Sequence, residues 1–400
     1  MYSEFYDGSY VRNTDNFQMV STSPDIDVSK AMELLELAEK WLEPFGVTDP
    51  FSKFRLEGYL SLKPDYRYGA LALLKVGGKE APQRILATPK LHYPFDRNGV
   101  FHFPSVKQID IYEKLDGTNV LAYQFKDAQD NLHVTYKLRL HPVLRNGKWG
   151  NFLDMWKEML ERYPRIPELP VLNRCSLSFE LFGSRNSHLM LYDSPLDCAL
   201  LFGVDAKGRY RSIDEIDCLG IPVPTHLGCL KAGDDPVAAY GRIREKLQAT
   251  IQTQDDEKLR GSEGAVWYVT TANMERVLFK CKPESVEAIH WKGGINKAAV
   301  MATCWNLLET EDFLEYGKLE RLLLEEYSQA EIDAFLEHID TCIADVSEEL
   351  NFRNLVLEAY AKIGIKLASD KASVMRKLST EFPKTLMKKV FTLISRYGDV

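Results

Sequence analysis

Long hydrophobic runs are missing from this 400-residue chain. Without them there is no candidate membrane span, which needs about 20 consecutive apolar residues. Cysteine is sparse and scattered. Its seven copies (Cys175, Cys198, Cys218, Cys229, Cys281, Cys304 and Cys342) form no CxxC and no Cys/His spacing suited to zinc. That excludes a disulfide framework or a zinc finger and leads us to expect buried free thiols. Positive charge is not in excess either, since the net charge of −8 argues against indiscriminate nucleic-acid binding. A whole-chain sum still permits a local basic surface. The opening residues MYSEFYDGSYVRN are neither basic nor apolar enough for a signal peptide, so the chain is expected to be cytoplasmic or otherwise intracellular. No internal repeat or low-complexity segment is apparent.

What is present is the composition of an ordinary globular protein, 45% hydrophobic and 27% charged, long enough for two or three domains. The stretch Ile111 to Phe125, IYEKLDGTNVLAYQF, carries the main chemical signal. It reads as two apolar strands joined through LDGTN, with Lys114 and Asp116 two residues apart on one face. Asp-Gly between hydrophobic runs is also the strongest short hairpin signal, so this motif by itself is weak. Three further strands in fixed order strengthen it: FELFG at Phe179 to Gly183, EGAVWYV at Glu263 to Val269, and FKCK at Phe279 to Lys282.

Residues up to about Asp27 are polar and aperiodic. Met32, Leu35, Ala38 and Leu42 then recur at helical spacing, predicting an amphipathic helix over Ser29 to Phe45 that Pro44 and Gly46 stop. From Phe54 to Phe103 the runs YLSL, GALALLKV, RILAT and VFHF predict strands, either a separate β-module or the first strands of the next domain. LHVTYKLRL (Leu132 to Leu140) alternates so that Lys137 and Arg139 share a face. Helices are predicted around Phe152 to Arg162 and Pro236 to Gln252, before a hairpin formed by EGAVWYV and VLFKCK. Beyond Pro283 the texture is helical, with a Ser328/Glu331 capping box. Between Lys362 and Arg396 basic residues outnumber Asp370 and Glu381, which fits either a solvated helix face or contact with an RNA backbone.

Lys114 is a candidate nucleophile for the α-phosphate of a nucleoside triphosphate. An ordinary lysine, with a pKa of about 10.4, is under about 0.1% free base at neutral pH. Asp116 and Glu263 would stabilise the ammonium further, whereas a divalent cation held near them would favour the neutral amine. Mg²⁺ suits that role because it binds through one or two carboxylates plus phosphate oxygens. Lys280 and Lys282 alternate with Phe279 and Cys281, so both ammoniums face one way and could hold a triphosphate. A half-exposed edge strand with solvated lysines explains the same pattern. Glu180 could accept ribose hydroxyls or be a surface glutamate, and Phe202 could stack on a purine or sit in a core. Asn119 could bind phosphate or favour a turn, and Arg139 could grip phosphate or pair with an acid.

In order, EKLDGTN, FELFG, EGAVWYV and FKCK resemble the collinear motifs of the covalent nucleotidyltransferase superfamily of ATP-dependent DNA ligases, RNA ligases and mRNA-capping enzymes. The resemblance is greatest to phage-type RNA ligases. Asn119 stands where the other branches have arginine, the region after Lys282 reads as helical, and FELFGSRNSHLMLYD looks like the RNA-ligase segment. It spans roughly Pro89 to Pro283.

This resemblance implies an α+β fold of the ATP-grasp-like, ligase-adenylation type, with antiparallel sheets, flanking helices and an all-helical C-terminal domain. The expected divisions are 1–100, 101–284 and 285–400, the last a possible RNA-binding domain. It implies that Lys114 becomes adenylylated, Glu113 lies beside adenine, Glu180 binds ribose and Phe202 stacks on the base. Asp116 and Glu263 would position Mg²⁺ or Mn²⁺, Lys280 and Lys282 would contact phosphates, and Asn119 and Arg139 would contact AMP or the RNA 5′-phosphate. The expected activity is a monomeric, ATP-dependent joining of RNA 5′-phosphate and 3′-hydroxyl ends. The alternatives are a DNA ligase, a capping guanylyltransferase, or a non-catalytic RNA-binding protein on the same fold.

Overall fold

The computed structural model describes residues 26–63, 65–89, 91–96, 99–146, 151–186, 189–255, 258–286, 295, 297–308, 314–324, 327 and 329–397. The polar start before Ile26 and the capping residue Ser328 lie outside them. Among the described residues no helix is long and apolar enough to cross a membrane.

Helix α1 (Val28–Leu35) starts on Asp27, whose side chain accepts from Ser29 N at 2.9 Å, and ends at Glu36 in the left-handed region. It is shorter than its sequence period predicts. Leu42 onward is drawn instead into β1 (Leu42–Thr48), paired residue for residue with β2 (Arg55–Ser61). Pro44 fits there because β1 is an edge strand, where a missing N–H leaves no ladder bond unmade. The sheet continues through β3 (Leu71–Val76) and β4 (Lys79–Ile85), whereas the expected strand at VFHF reduces to an isolated bridge between Phe95 and Phe101.

A second, five-stranded sheet has the order β10-β9-β8-β6-β7, from Tyr210–Arg211, Asp197–Val204, Ser176–Phe182, Thr118–Lys126 and Leu132–Lys137. The third has the order β11-β5-β14-β15, from His226–Lys231, Val106–Lys114, Gly264–Thr271 and Arg276–Cys281. All strand pairs within these sheets are antiparallel. A small ribbon, β12 (Gln252–Asp255) with β13 (Lys258–Arg260), completes the strands.

The Asp-Gly motif does not make a hairpin. β5 belongs to the third sheet and β6 to the second, so residues 115–117 carry the chain from one sheet to the other. Gly117 is required by proximity: a Cβ there would lie 2.2 Å from the carbonyl oxygen of Leu181 on β8.

Period-two alternation sorts the sheet faces. One face of the second sheet (Val120, Ala122, Leu177, Phe179, Leu181 and Leu200) packs on Trp156 and Met159 of α2 (Phe152–Arg162), followed by the short α3 (Leu169–Asn173). Each buried Val, Leu, Phe or Met side chain among these contributes about 1.5–3 kcal/mol. The opposite face is divided between two neighbours. Leu121, Tyr123 and Phe125 meet Leu56, Leu71 and Leu73 of the first sheet. Phe202 and Val204 meet Tyr112, Val266 and Leu278 of the third. That second core also contains Leu35, Ala72 and Leu74, so the N-terminal strands share cores with the later sheets and are not a free-standing module. Helix α4 (Pro236–Gln248) covers the far face of the third sheet through Ala239, Tyr240 and Leu247.

Beyond the sheets, α5 (Lys297–Leu308), α6 (Tyr316–Leu323), α7 (Gln329–Ala334) and the first half of α8 (Leu336–Ile363) enclose one core. The second half of α8 packs with α9 (Lys371–Glu381) and α10 (Met387–Tyr397) around another. An ion pair of 3.1 Å between Arg321 and Glu43 ties this region to β1. The fold is therefore α+β, with antiparallel sheets followed by a helical C-terminal region. Free cysteines behave as expected at five positions, but Cys218 is half-buried and Cys229 exposed.

Candidate active site

Lys114 is the last residue of β5 and is paired with Gly264 at the start of β14, which brings it beside Glu263. A Cβ at Gly264 would fall 2.4 Å from the Cys281 carbonyl oxygen, so glycine keeps this corner tight. The Lys114 ammonium donates to Glu263 Oε2 at 2.5 Å. Lys282, just past β15, pairs with Glu263 Oε1 at 2.8 Å. One carboxylate thus bridges two ammoniums, and it is only 5% exposed.

Burial favours the uncharged form of both Glu263 and Lys114. The Lys114 and Lys282 ammoniums outweigh it at Glu263 and pull that carboxyl down to about 2. At Lys114 burial lowers the pKa, but Glu263, Glu180 and Asp116 outweigh it and hold the amine above the ordinary lysine value. In the free protein Lys114 is an ammonium.

Glu180 comes from β8, across from β5, where it is paired with Asn119 and Ala199. The carboxylate of Asp116 takes a different course from the expected metal pair with Glu263. Its Oδ2 accepts from the backbone N–H groups of Leu189 and Met190 at 2.7 and 2.6 Å. Its own N–H donates to Tyr192 Oη at 2.7 Å. Asp116 therefore clamps the 189–192 segment onto the crossover between sheets. Among the described residues no group of three or more His, Cys, Asp or Glu converges as a metal cage.

Lys280 lies on the Lys114 face of the third sheet, opposite Val266, while Phe279 and Cys281 face the α4 core as their alternation predicted. Four other expected residues are placed as follows. Glu113, one residue from Lys114, points to the opposite face, where it lines a small cavity with Leu227, Ile243 and Leu247 beneath α4. Phe202 is 3% exposed and packs edge-on against Tyr210 and Tyr268, as a core aromatic. Asn119 spends its amide on Ser178 Oγ at 2.8 Å and the Phe179 carbonyl at 3.1 Å. Arg139 lies beyond the end of β7, and its carbonyl accepts from Lys137 at 2.8 Å.

Lys137, outside the expected site residues, is 1% exposed and also donates to the carbonyls of Gly69 and Leu138. Burial, with Arg139 nearby, pushes it down to about 7. Nothing in the alternating pattern of β7 distinguishes it from a solvated lysine. Tyr192 had a sequence signal, since it lies in the segment that resembles RNA ligases.

No family model and no curated protein matches this chain. The solved structures to which it is similar include ATP-dependent ligases. An archaeal ATP-dependent RNA ligase superposes with a TM-score of 0.45 at 15% identity, over 84% of this chain and 83% of that one. A putative ATP-dependent DNA ligase from Aquifex aeolicus gives 0.40 at 14% identity, over 89% of each chain. A Naegleria gruberi RNA ligase solved with ATP and Mn gives 0.31 at 16% identity, over 46% of this chain and 51% of that one. These are likenesses of chain course, and the chemistry below rests on this chain's own side chains.

Proposed function

We propose that the chain is an ATP-dependent RNA ligase in which Lys114 carries AMP. The observation that supports this most directly is the Lys114–Glu263–Lys282 bridge, 2.5 and 2.8 Å long and centred on a buried carboxylate, at the edge where two sheets face each other. A lysine held there only for structure would need one acidic partner. Here a second lysine shares the carboxylate and a third, Lys280, stands on the same face, an arrangement suited to a polyanion.

In the first step the neutral Lys114 amine attacks the α-phosphorus of ATP. An N–P bond forms, the P–O bond to the β-phosphate breaks, pyrophosphate leaves with the electron pair, and the nitrogen gives up a further proton to solvent. Lys282 and Lys280 are suited to offset the charge that develops on these oxygens. Next, an oxygen of the RNA 5′-phosphate attacks the adenylyl phosphorus, breaking the N–P bond and returning Lys114 to an amine that takes up a proton. Finally the 3′-hydroxyl attacks the activated 5′-phosphate, loses its proton and expels AMP.

Because Lys114 begins as an ammonium, the first step requires its proton to leave. A hydrated divalent cation fits near Glu263, whose two oxygens accept one lysine each and keep lone pairs to spare. Glu263 together with nucleotide phosphates would hold it, and Asp116 could add only the oxygen not engaged by Leu189 and Met190. When bound, such an ion supplies the positive charge that favours the neutral amine. Glu180, on the facing sheet, is suited to a ribose hydroxyl.

The test is mass analysis of the protein after incubation with ATP and Mg²⁺ or Mn²⁺, with GTP in parallel. The expected product is one AMP on Lys114, followed by sealing of RNA ends in preference to nicked DNA. An adduct at another residue, or RNA binding without any adduct, overturns the assignment.

A further inference from the structure

Lys280 is held from several sides by a segment outside the four sequence motifs. β15 is the outer strand of its sheet. Along its open edge His92 bridges Phe279 in parallel, and the Lys280 N–H donates to the His92 carbonyl at 2.8 Å. Tyr93 is thereby brought over the strand, and the Lys280 ammonium stands 4.6 Å from its ring centroid. Behind it, Tyr93 leans on Phe95 at 5.0 Å, and Phe95 meets Tyr240 edge-on at 5.9 Å. Tyr240 Oη closes the circuit by donating to the Lys280 carbonyl at 3.3 Å. Main chain on both sides and the cation itself are thus fixed by one aromatic buttress.

The ring face attracts the cation through its quadrupole. Lys280 is only 7% exposed, where such an attraction is at its strongest.

We propose that Tyr93 is a positioning residue that seats the Lys280 ammonium for the phosphates of the incoming nucleotide. This rests on the reading of Lys114 as the adenylyl acceptor. The test measures the rate of AMP-adduct formation against ATP concentration in the full chain, for wild type, Tyr93→Phe, Tyr93→Leu, Lys280→Ala and the Tyr93→Leu/Lys280→Ala double variant. Tyr93→Leu should raise the half-saturating ATP concentration on the order of tenfold. Tyr93→Phe, which keeps the ring, should rescue it, and Tyr93→Leu should add nothing in the Lys280→Ala background.

A Tyr93→Leu protein that behaves as wild type, a Tyr93→Phe protein as impaired as Tyr93→Leu, or a full further loss in the double variant would each overturn the proposal. The last of these also identifies a merely structural role, because general damage to the edge would persist without Lys280. If the wild-type chain forms no adduct at all, the assignment of Lys114 falls and this inference with it. If wild type forms the adduct and Tyr93→Leu matches it, only the role of Tyr93 is lost.

Discussion

Replacing Glu263 with Gln keeps the shape of the side chain and removes the charge that two lysines share. Its folded value of about 2, against an ordinary 4.5, converts to about 3 kcal/mol at 1.36 kcal/mol per unit. This is comparable with the roughly 3–5 kcal/mol lost when one member of a buried ion pair is removed. The figure applies to the interaction once. The raised value at Lys114 reports the other side of the same contact. A carboxylate with a depressed folded pKa contributes stability that is complete above its unfolded value and lost as pH falls through the folded one. The contribution of Glu263 should therefore be whole at pH 7 and disappear between about pH 5 and pH 2.

Native-state hydrogen exchange of the β5 and β14 amides reads this sheet directly, without assuming that the several cores unfold together. At pH 7, Glu263→Gln should lower their protection by about 100-fold, and the gap to wild type should close as the pH approaches 2. A gap that stays constant across that range would refute the assignment of the shift to the two lysines.

Three further outcomes are expected. Lys114→Ala should abolish the AMP adduct seen by mass analysis, while circular dichroism shows the sheets intact. Gly117→Ala should impair both adduct formation and thermal stability, because its new Cβ meets the Leu181 carbonyl at 2.2 Å and the crossover must shift. Lys137, pushed down to about 7 by burial, binds its proton less readily folded than unfolded. From about pH 7 up to 10.5 the wild type should thus gain up to about 1.4 kcal/mol of stability per pH unit relative to Lys137→Met. Parallel pH profiles in denaturant melts would remove that reasoning.

Local pattern carried much of this molecule. The apolar alternation of Phe279 and Cys281 assigned Lys280 and Lys282 to the other face, and the period of Phe152 to Arg162 marked α2 at its observed bounds. The same alternation bears on Glu113, which as the neighbour of Lys114 must face away along a strand. The resemblance to a known family led to a different expectation for it. Residues 36–42 keep a helical period beyond the end of α1, while pairing with β2, nearly twenty residues further on, claims Leu42 for a strand.

What the sequence determined by itself was which short stretches are strands or helices and which side chains share a face. Such choices depend on neighbours within a few residues. Which strands meet was decided only in three dimensions. The Asp-Gly turn spans two sheets instead of closing a hairpin, because β5 finds its partners in β11 and β14, more than a hundred residues away. Asp116 is claimed by amides 73 and 74 residues distant, and Lys137 by the carbonyl of Gly69, 68 residues before it. Buried polar groups must be satisfied wherever the chain brings a partner, and that partner is chosen by packing, not by proximity in sequence.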